Sequence, residues 1–349
     1  MYNKNKTPRE RVMEALRGGC SDKVPFTVYE NMIPQCSTER ELRNKGLCIV
    51  YRKPSYNILH PNVDIKTYGY TNEEGEKFVR TIYNTPHGEL STLQQAGINT
   101  SWTLEHMFKS PEDYKALRFF IEDSVIVPNY ASVVKLEKQL GEDFVLRDKI
   151  CLEPLQQLIS KYMGTETFCF EWMDNRDEIM KFYNSSVNIA RKIYSVVADG
   201  PLEFANYGGN VVPQIIGVDN FEKYYVPHYN EAAEILHKKG KVIGCHFDAD
   251  NTTIMKSIAK TELDYIEAYD AGISPSVKEA RKAWPNKVLW LNWPSTWQLY
   301  SQEDIYNSTL KLIEEAGSKN GFIIGITEDV PEERWQQNFT TIMDAINKA

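Results

Sequence analysis

The chain has 349 residues, of which 42% are hydrophobic and 25% are charged, and its formal net charge is −8. This ordinary globular balance excludes a largely disordered chain, and the negative charge argues against a broad surface for nucleic acid or anionic membranes. There is no run of about 18 apolar residues and no secretory h-region at the N-terminus, so we expect a cytoplasmic protein without a membrane span.

The first predicted element is a helix that begins at Thr7-Pro8-Arg9-Glu10. A Thr cap, Pro at the first helical position and an acid in the first turn together favour a helix start. Val12, Met13 and Leu16 would face inward, and the glycines at 18 and 19 end the helix. The segment 24–30 then predicts the first strand.

Residues 48–96 differ from the rest of the chain. The segments 65–70 and 77–83 have a strand pattern, and the turn residues 72–75 lie between them, as in a β-hairpin. No Pro/Gly/Ser-rich linker marks a boundary. We therefore predict one domain over residues 1–349, in which 48–96 form a β-hairpin decoration near the mouth of the main fold.

From residue 111 onward, short apolar strands alternate with amphipathic helices, which is typical of a parallel sheet covered on both faces. The predicted strands are 144–147, 202–207, 242–247, 265–268, 288–293 and 322–326. No Gly-rich phosphate loop follows any of them, which disfavours a dinucleotide-binding fold. The regular run favours an α/β fold, a single (β/α)8 barrel with N-terminal helical and β-hairpin decorations.

Polar residues recur where these strands end, and in a barrel all such ends meet on the face that carries active sites. Glu231, His246 and Glu267 could reach one point there. Two carboxylates, one imidazole and an open fourth position suit a catalytic Zn²⁺ ion. Asp248 could replace Glu231 or orient His246. The alternative is that Glu231 is a solvated helix charge and that only His246 and Glu267 matter.

Other residues near the predicted strand ends carry weaker signals. Cys245 should point away from His246 if its strand is regular, and the six cysteines are too scattered for a disulfide framework, which favours reduced thiols. Trp290, Trp293 and Trp297 are either an aromatic wall for a flat substrate or core packing, and core packing is the commoner use of a tryptophan.

Four segments carry a family resemblance. The opening TPRERVMEALRGGCSDKVPF (7–26) is similar to the start of the uroporphyrinogen decarboxylase superfamily. That superfamily contains decarboxylases and the methyltransferases of corrinoid-dependent systems. The segments GCHFDADNTTIMKSIAKTELDYIEA (244–268), KVLWLNWPS (287–295) and GFIIGITEDVPEERW (321–335) resemble its branch of aryl methyl ether O-demethylases, in which methyltransferase I passes a methyl group to a corrinoid protein.

The chain also departs from relatives in this superfamily. True decarboxylases carry an arginine-rich RQAGR-like segment near the N-terminus, whereas PFTVYENMIPQ here has no arginine. Methyltransferases that deliver methyl groups to coenzyme M use His-x-Cys and a late Cys for zinc. Asp248 replaces the first of these cysteines, and the late one is absent near Ile324. A carboxylate-rich site favours a Lewis acid that acts on oxygen over one that activates a thiol.

The resemblance therefore implies a methyltransferase that cleaves the methyl–oxygen bond of a small methoxylated, aromatic substrate. The acceptor would be cob(I)alamin on a separate corrinoid protein, with Zn²⁺ as the resident metal. Asp248 and Glu328 would act as general acid or support the metal, and Tyr29, Glu30 and Asn206 would shape the donor pocket. The alternatives are a decarboxylase with a cationic mouth and no metal, or a non-catalytic corrinoid- or tetrapyrrole-binding protein. Homo-oligomerisation stays open.

Overall fold

A computed structural model describes residues 6–19, 21–97 and 101–349. Cys20, one of the six cysteines expected to be reduced, lies outside these ranges. The cysteines at 36, 48, 151, 169 and 245 are free thiols, as predicted. The chain divides into a barrel unit, which runs to Ser55 and includes Tyr130–Ile150 and Val197–Ala349, and a second unit, Tyr56–Asn129 with Cys151–Val196.

Within the described ranges, eight parallel strands close into a barrel in the order β1-β14-β13-β12-β11-β10-β9-β2. The predicted (β/α)8 fold is thereby confirmed. The strands in the described residues are β1 Phe26–Tyr29, β2 Leu47–Arg52, β3 Tyr56–Leu59, β4 Asp64–Thr71, β5 Lys77–Thr85, β6 Gly88–Ala96, β7 Ser101–Glu105, β8 Val125–Pro128, β9 Phe144–Lys149, β10 Phe204–Tyr207, β11 Val242–His246, β12 Tyr265–Asp270, β13 Val288–Asn292 and β14 Phe322–Ile326.

The helices follow the strands as the alternating pattern predicts. The α-helices are α1 Pro8–Leu16, α2 Ser37–Lys45, α3 Tyr114–Glu122, α4 Tyr130–Gln139, α5 Pro154–Gln156, α6 Thr165–Asp174, α7 Arg176–Asp199, α8 Pro213–Ile216, α9 Val218–Tyr224, α10 Val226–His237, α11 Met255–Ile258, α12 Val277–Ala283, α13 Gln302–Ala316 and α14 Trp335–Lys348. Short 3₁₀ turns begin at Pro111, Thr252 and Ser295, and Gln157–Met163 is π-helical. In the described part of the chain, no helix combines the length and apolar character that crossing a bilayer requires.

Large side chains fill the interior of the barrel, and two glycines make room for them. A Cβ on Gly244 would lie 2.1 Å from the ring of Tyr265. A Cβ on Gly325 would lie 2.8 Å from the indole nitrogen of Trp290, which donates a hydrogen bond to Thr27 Oγ1 at 2.9 Å. The lower barrel is therefore a close-packed core, and open space for chemistry is confined to the strand ends.

The N-terminal helix packs on this core. Thr7 caps it through a capping box with Glu10, and Pro8 lies in its first turn, as the sequence predicts. Val12 and Leu16 are buried in the same cluster as Tyr265 and the strands around it. Arg9 Nε donates to the carbonyl of Phe144 at 2.8 Å, at the start of β9. The helix thus packs against the end of the barrel at which the strands begin.

The second unit contains the predicted hairpin. Strands β4 and β5 pair antiparallel around a turn in which Gly75 has a φ of 85°. The hairpin is part of a larger four-stranded sheet, β4-β5-β6-β7, and β3 pairs separately with β8. Its place near the barrel mouth, and a single domain over residues 1–349, stay predictions.

The predicted start of the decoration at residue 48 is wrong, because Leu47–Arg52 is the barrel strand β2. It pairs in parallel with both β1 and β9. The apolar run Leu-Cys-Ile-Val is a short buried-strand signal. It was missed because it directly follows α2 and precedes a polar segment, without a crossover helix of its own.

Candidate active site

Four barrel strands bring most of the predicted polar residues to one end of the barrel. His246 is the last residue of β11 and pairs in register with Glu267 of β12. Tyr29 is the last residue of β1. Asp248 and Glu328 follow β11 and β14 by two residues. Because parallel strands end on the same face of a barrel, these five side chains converge.

The two ring nitrogens of His246 face different partners. Nδ1 lies 3.3 Å from Glu267 Oε2 and 3.3 Å from the hydroxyl of Tyr29. Nε2 lies 3.3 Å from Glu328 Oε1 and 3.6 Å from Asp248 Oδ2. One side of the ring therefore meets the buried barrel interior, and the other meets two partly exposed carboxylates.

Glu267 is the centre of the buried side. Its carboxylate forms an ion pair with Arg147 and accepts a hydrogen bond from Asn206 Nδ2 at 2.8 Å. Burial alone favours the neutral acid, but Arg147 and His246 outweigh it and hold the pKa of Glu267 at about 2. Glu267 is thus a fixed anion. It can accept a hydrogen bond from Nδ1–H and so set the orientation of the His246 ring.

Tyr29 completes the buried network. Burial raises the pKa of its phenol to about 12, so the hydroxyl stays protonated at neutral pH. The guanidinium of Arg52 lies 3.8 Å from the centre of the Tyr29 ring, in cation–π contact. Tyr29 is only 2% exposed. It supports His246 from below, whereas a wall of an open donor pocket would need an exposed face.

Burial opposes protonation of His246, but Tyr29 and the carboxylates of Asp248, Glu267 and Glu328 outweigh it and raise the pKa of His246 well above its ordinary value. The cause is a local excess of negative groups around one imidazole. Such an excess is satisfied either by a proton on His246 or by a bound cation.

Three ligand atoms could hold that cation. Atoms of His246, Asp248 and Glu328 lie within 4.8 Å of one another. Asp248 Oδ1 is buried and has no hydrogen-bond partner. Among the described residues, neither Asp248 nor Glu328 has a lysine or arginine partner. One imidazole and two carboxylates form a hard donor set that fits a divalent ion such as Zn²⁺.

A β-bulge directly follows Glu267 in β12. The register between β12 and β13 shifts after Glu267, and Ala268 is the extra residue, with a φ of 59°. Residues other than glycine rarely adopt this conformation. The bulge reverses the alternation of side chains, so that Glu267 faces the barrel interior while Tyr269 packs outward on Trp284. Backbone strain of this kind concentrates at functional sites.

The family model described as uroporphyrinogen decarboxylase matches residues 179–349, which contain β10 to β14 and all three candidate ligands. The predicted superfamily resemblance is thereby confirmed. Among solved structures, a methyltransferase from Methanosarcina mazei is similar over 98% of this chain and 99% of that chain, with a TM-score of 0.61 and 12% identity, which shows a shared fold. A B12-independent methionine synthase from a Shewanella species aligns over 89% and 86%, with a TM-score of 0.45 and 10% identity. A comparison with curated proteins finds no match.

Within this superfamily fold, the structure replaces Glu231 in the predicted ligand set. Glu231 lies on α10, along an outer cleft that it shares with His237 and Glu262. The neighbouring Asn230 accepts a hydrogen bond from the backbone N–H of Glu262, three residues before β12 begins. Glu231 is therefore near the beginning of that strand, whereas the cluster is near the strand ends. α10 begins at Val226, so Glu231 lies more than one turn along the helix, away from the strand ends.

Glu267 also changes role relative to the prediction. Its carboxylate already contacts Arg147, Asn206 and His246. Glu267 therefore supports the imidazole of His246 and does not face the open side. Asp248 and Glu328, expected as general acids or supporting groups, lie on the open side. Asn206 is buried and donates to Glu267, and Glu30 forms an ion pair with Arg52 at 3.0 Å. Their predicted contact with the donor stays untested.

Sequence reasoning missed two arginines. Arg147 is 3% exposed on β9, and Arg52 ends β2. The PFTVYENMIPQ segment indeed holds no arginine, but these two residues bring guanidinium groups to Tyr29 from neighbouring strands. An arginine inside the otherwise apolar strand Phe-Val-Leu-Arg was a usable signal, because a charge buried in a barrel requires a buried partner.

Trp290, Trp293 and Cys245 follow the structural alternatives, whereas Trp297 is partly buried and stacks on Tyr300. Trp290 and Trp293 are fully buried, and the indole of Trp293 donates to Thr309 Oγ1 at 3.0 Å. They form core packing and cannot line an open wall. Cys245 lies 3.7 Å from the hydroxyl of Tyr229 on α10, so it points outward, away from His246, as predicted.

The depressed pKa of Glu267 predicts an acid-dependent stability. A carboxyl whose pKa is lower in the folded state contributes stability above its unfolded pKa, and this contribution is lost as the pH falls from about 4.5 towards 2. We expect the metal-free protein to lose on the order of 3 kcal/mol of unfolding free energy from this group. Urea titrations at several pH values, with chelator present, should show a shallower loss for Glu267→Gln. An identical pH slope in both proteins would contradict the assignment.

Proposed function

We propose that this barrel is a methyltransferase that takes a methyl group from an oxygen atom of a methoxylated small molecule and passes it to cob(I)alamin on a separate corrinoid protein. The superfamily resemblance and the shared fold support a methyltransferase in general terms. The observation that supports the finer proposal is the different surroundings of the two nitrogens of His246. Nδ1 contacts the buried carboxylate of Glu267, while Nε2 faces the carboxylates of Asp248 and Glu328.

The chain's own residues prepare a metal site. Glu267 accepts a hydrogen bond from Nδ1–H and thereby fixes the tautomer, so that Nε2 presents its lone pair towards Asp248 and Glu328. Arg147 and Asn206 keep Glu267 ionised and immobile. His246, Asp248 and Glu328 would hold Zn²⁺, which when bound supplies Lewis-acid polarisation of an oxygen atom.

The donor's methyl–oxygen bond would break with its electron pair left on oxygen, and the cobalt(I) nucleophile would supply the pair for the new bond to carbon. An oxygen leaving group requires stabilisation of that charge, which is why hard ligands suit this reaction better than the thiolates used for thiol acceptors. Glu328, with a side chain 39% exposed, lies at the solvent side of the cluster and can exchange the proton that the released oxygen finally takes up.

The test is an anaerobic assay with cob(I)alamin, the purified zinc-loaded protein and a panel of methoxylated aromatic compounds. The absorbance of methylcobalamin and the mass of the demethylated product should appear together and in equal amounts. Absence of both, with zinc bound and the corrinoid kept reduced by titanium(III) citrate, would overturn the proposal.

A decarboxylase remains the second candidate because Arg52 and Lys149, which end β2 and β9, bring cations to the mouth of the barrel. Such a mouth would accept carboxylated substrates. This alternative predicts CO₂ release that persists after chelation and does not need cob(I)alamin. The proposed methyl transfer predicts the opposite on both counts.

A further inference from the structure

We infer that the ends of β2 and β9 form an anion subsite and that the methyl donor carries a carboxylate that binds to Lys149. This inference rests on the proposed function and names the substrate class for the same site. It rests on the position of Lys149, whose cationic neighbours Arg52 and Arg147 already have carboxylate partners.

Strand register places three cations together. Arg52 and Arg147 are direct neighbours across β2 and β9, and Lys149 ends β9. Asp148, between Arg147 and Lys149, accepts from the backbone N–H of Ser55 on the other face of the strand. Because side chains alternate along a strand, Lys149 lies on the same face as Arg147, about 6.6 Å nearer the mouth.

Two of the three cations have carboxylate partners. Arg52 Nε lies 3.0 Å from Glu30 Oε2, and Arg52 also donates to Asn31 Oδ1 at 2.6 Å. Arg147 pairs with Glu267. Lys149 is exposed, and within residues 6–19, 21–97 and 101–349 its ammonium group has no ion pair or hydrogen bond. Three cations against two carboxylates leave one positive charge, located at the open end.

The electrostatic surroundings of Lys149 favour the binding of an anion beside its ammonium group. Partial desolvation and the guanidinium groups of Arg52 and Arg147 lower the pKa of Lys149. A carboxylate bound beside the amine would relieve this repulsion. The register of Lys149 with Asn206, the residue that donates to Glu267, places the subsite on the strand next to the one that supports the His246 network. A single molecule could therefore offer a carboxylate to Lys149 and a methoxy group to the metal cluster.

A matched pair of ligands tests the inference. Calorimetry on the zinc-loaded protein, without any corrinoid protein, would compare 4-methoxybenzoate with the neutral 4-methoxybenzamide. We expect the acid to bind at least about ten-fold more tightly, with the difference shrinking at high salt because the contact is partly exposed. Lys149→Met should abolish the difference and leave the affinity for the amide unchanged. The exposed Lys311→Met on α13 is the control and should keep the difference.

Equal affinity for acid and amide in the wild type, or an acid preference that survives Lys149→Met, would overturn the subsite. Because this readout is binding, its failure is separable from that of the proposed function. Selective, Lys149-dependent binding without methyl transfer would support the subsite and contradict the methyltransferase. Methyl transfer from 4-methoxybenzamide as efficient as from the acid would contradict the subsite alone.

Discussion

Replacing Arg147 with methionine will lower the free energy of unfolding by about 3–5 kcal/mol, because it leaves the Glu267 carboxylate buried without its cation. Both side chains lie within the barrel, at 4% and 0% exposure, so water cannot substitute for the lost partner. The midpoint of urea unfolding in the presence of chelator measures the change. We expect the slope of the transition to stay constant, since the folded barrel buries the same surface.

Two further variants make this prediction specific. The double variant Arg147→Met/Glu267→Gln removes both charges and should recover part of the lost stability, since no unpaired ion remains. The surface pair of Arg118 and Glu122 is about half exposed, so Arg118→Met should lower the stability far less than Arg147→Met. If Arg147→Met were no more harmful than Arg118→Met, the buried network would not have the role assigned to it.

Replacing His246 with alanine will reduce methyl transfer by about a thousand-fold or more, which corresponds to about 4 kcal/mol of transition-state stabilisation. The variant removes the nitrogen ligand and leaves two carboxylates that would repel each other without a cation. The anaerobic methylcobalamin assay gives the rate. His237→Ala is the control and should leave the rate unchanged, because His237 lies on the outer surface with its Nε2 2.8 Å from Asp264 Oδ2.

Glu267→Gln should lower the rate of methyl transfer less than His246→Ala does. Groups that orient a metal-bound histidine typically contribute 10–100-fold to metal affinity, so transfer should return at high zinc concentration. Loss that zinc cannot rescue would place Glu267 in direct contact with the metal, as the sequence alone suggested. The two variants together distinguish His246, the proposed metal ligand, from Glu267, the residue that orients it.

The barrel itself could be predicted from the sequence because each strand after residue 111 is a short apolar run followed by a helix pattern. Strand β2 was not found, since Leu47–Arg52 follows α2 closely and its neighbours are polar. The bulge at Ala268 carries no sequence signal, because alanine normally fits a regular strand. A strand can be predicted from its local sequence pattern, whereas a bulge is set by the packing between neighbouring strands.

The candidate site was predictable in part of its membership but not in its arrangement. His246, Asp248, Glu267 and Glu328 lie at strand ends, and strand ends converge in any barrel. Which carboxylate faces the open side depends on Arg147, a residue 120 positions before Glu267, and sequence spacing cannot pair the two. Glu231 was included because its helix precedes β11, but the side chain lies along an outer cleft with His237 and Glu262, which sequence spacing does not reveal.

The most direct test of the account is the zinc content of the purified protein, measured by elemental analysis in the wild type and three variants. We predict about one zinc per chain in the wild type and in Glu231→Gln, and loss of most of it in His246→Ala and Asp248→Asn. Zinc retained in His246→Ala, or lost in Glu231→Gln but not in Asp248→Asn, would contradict the centre assigned to His246, Asp248 and Glu328.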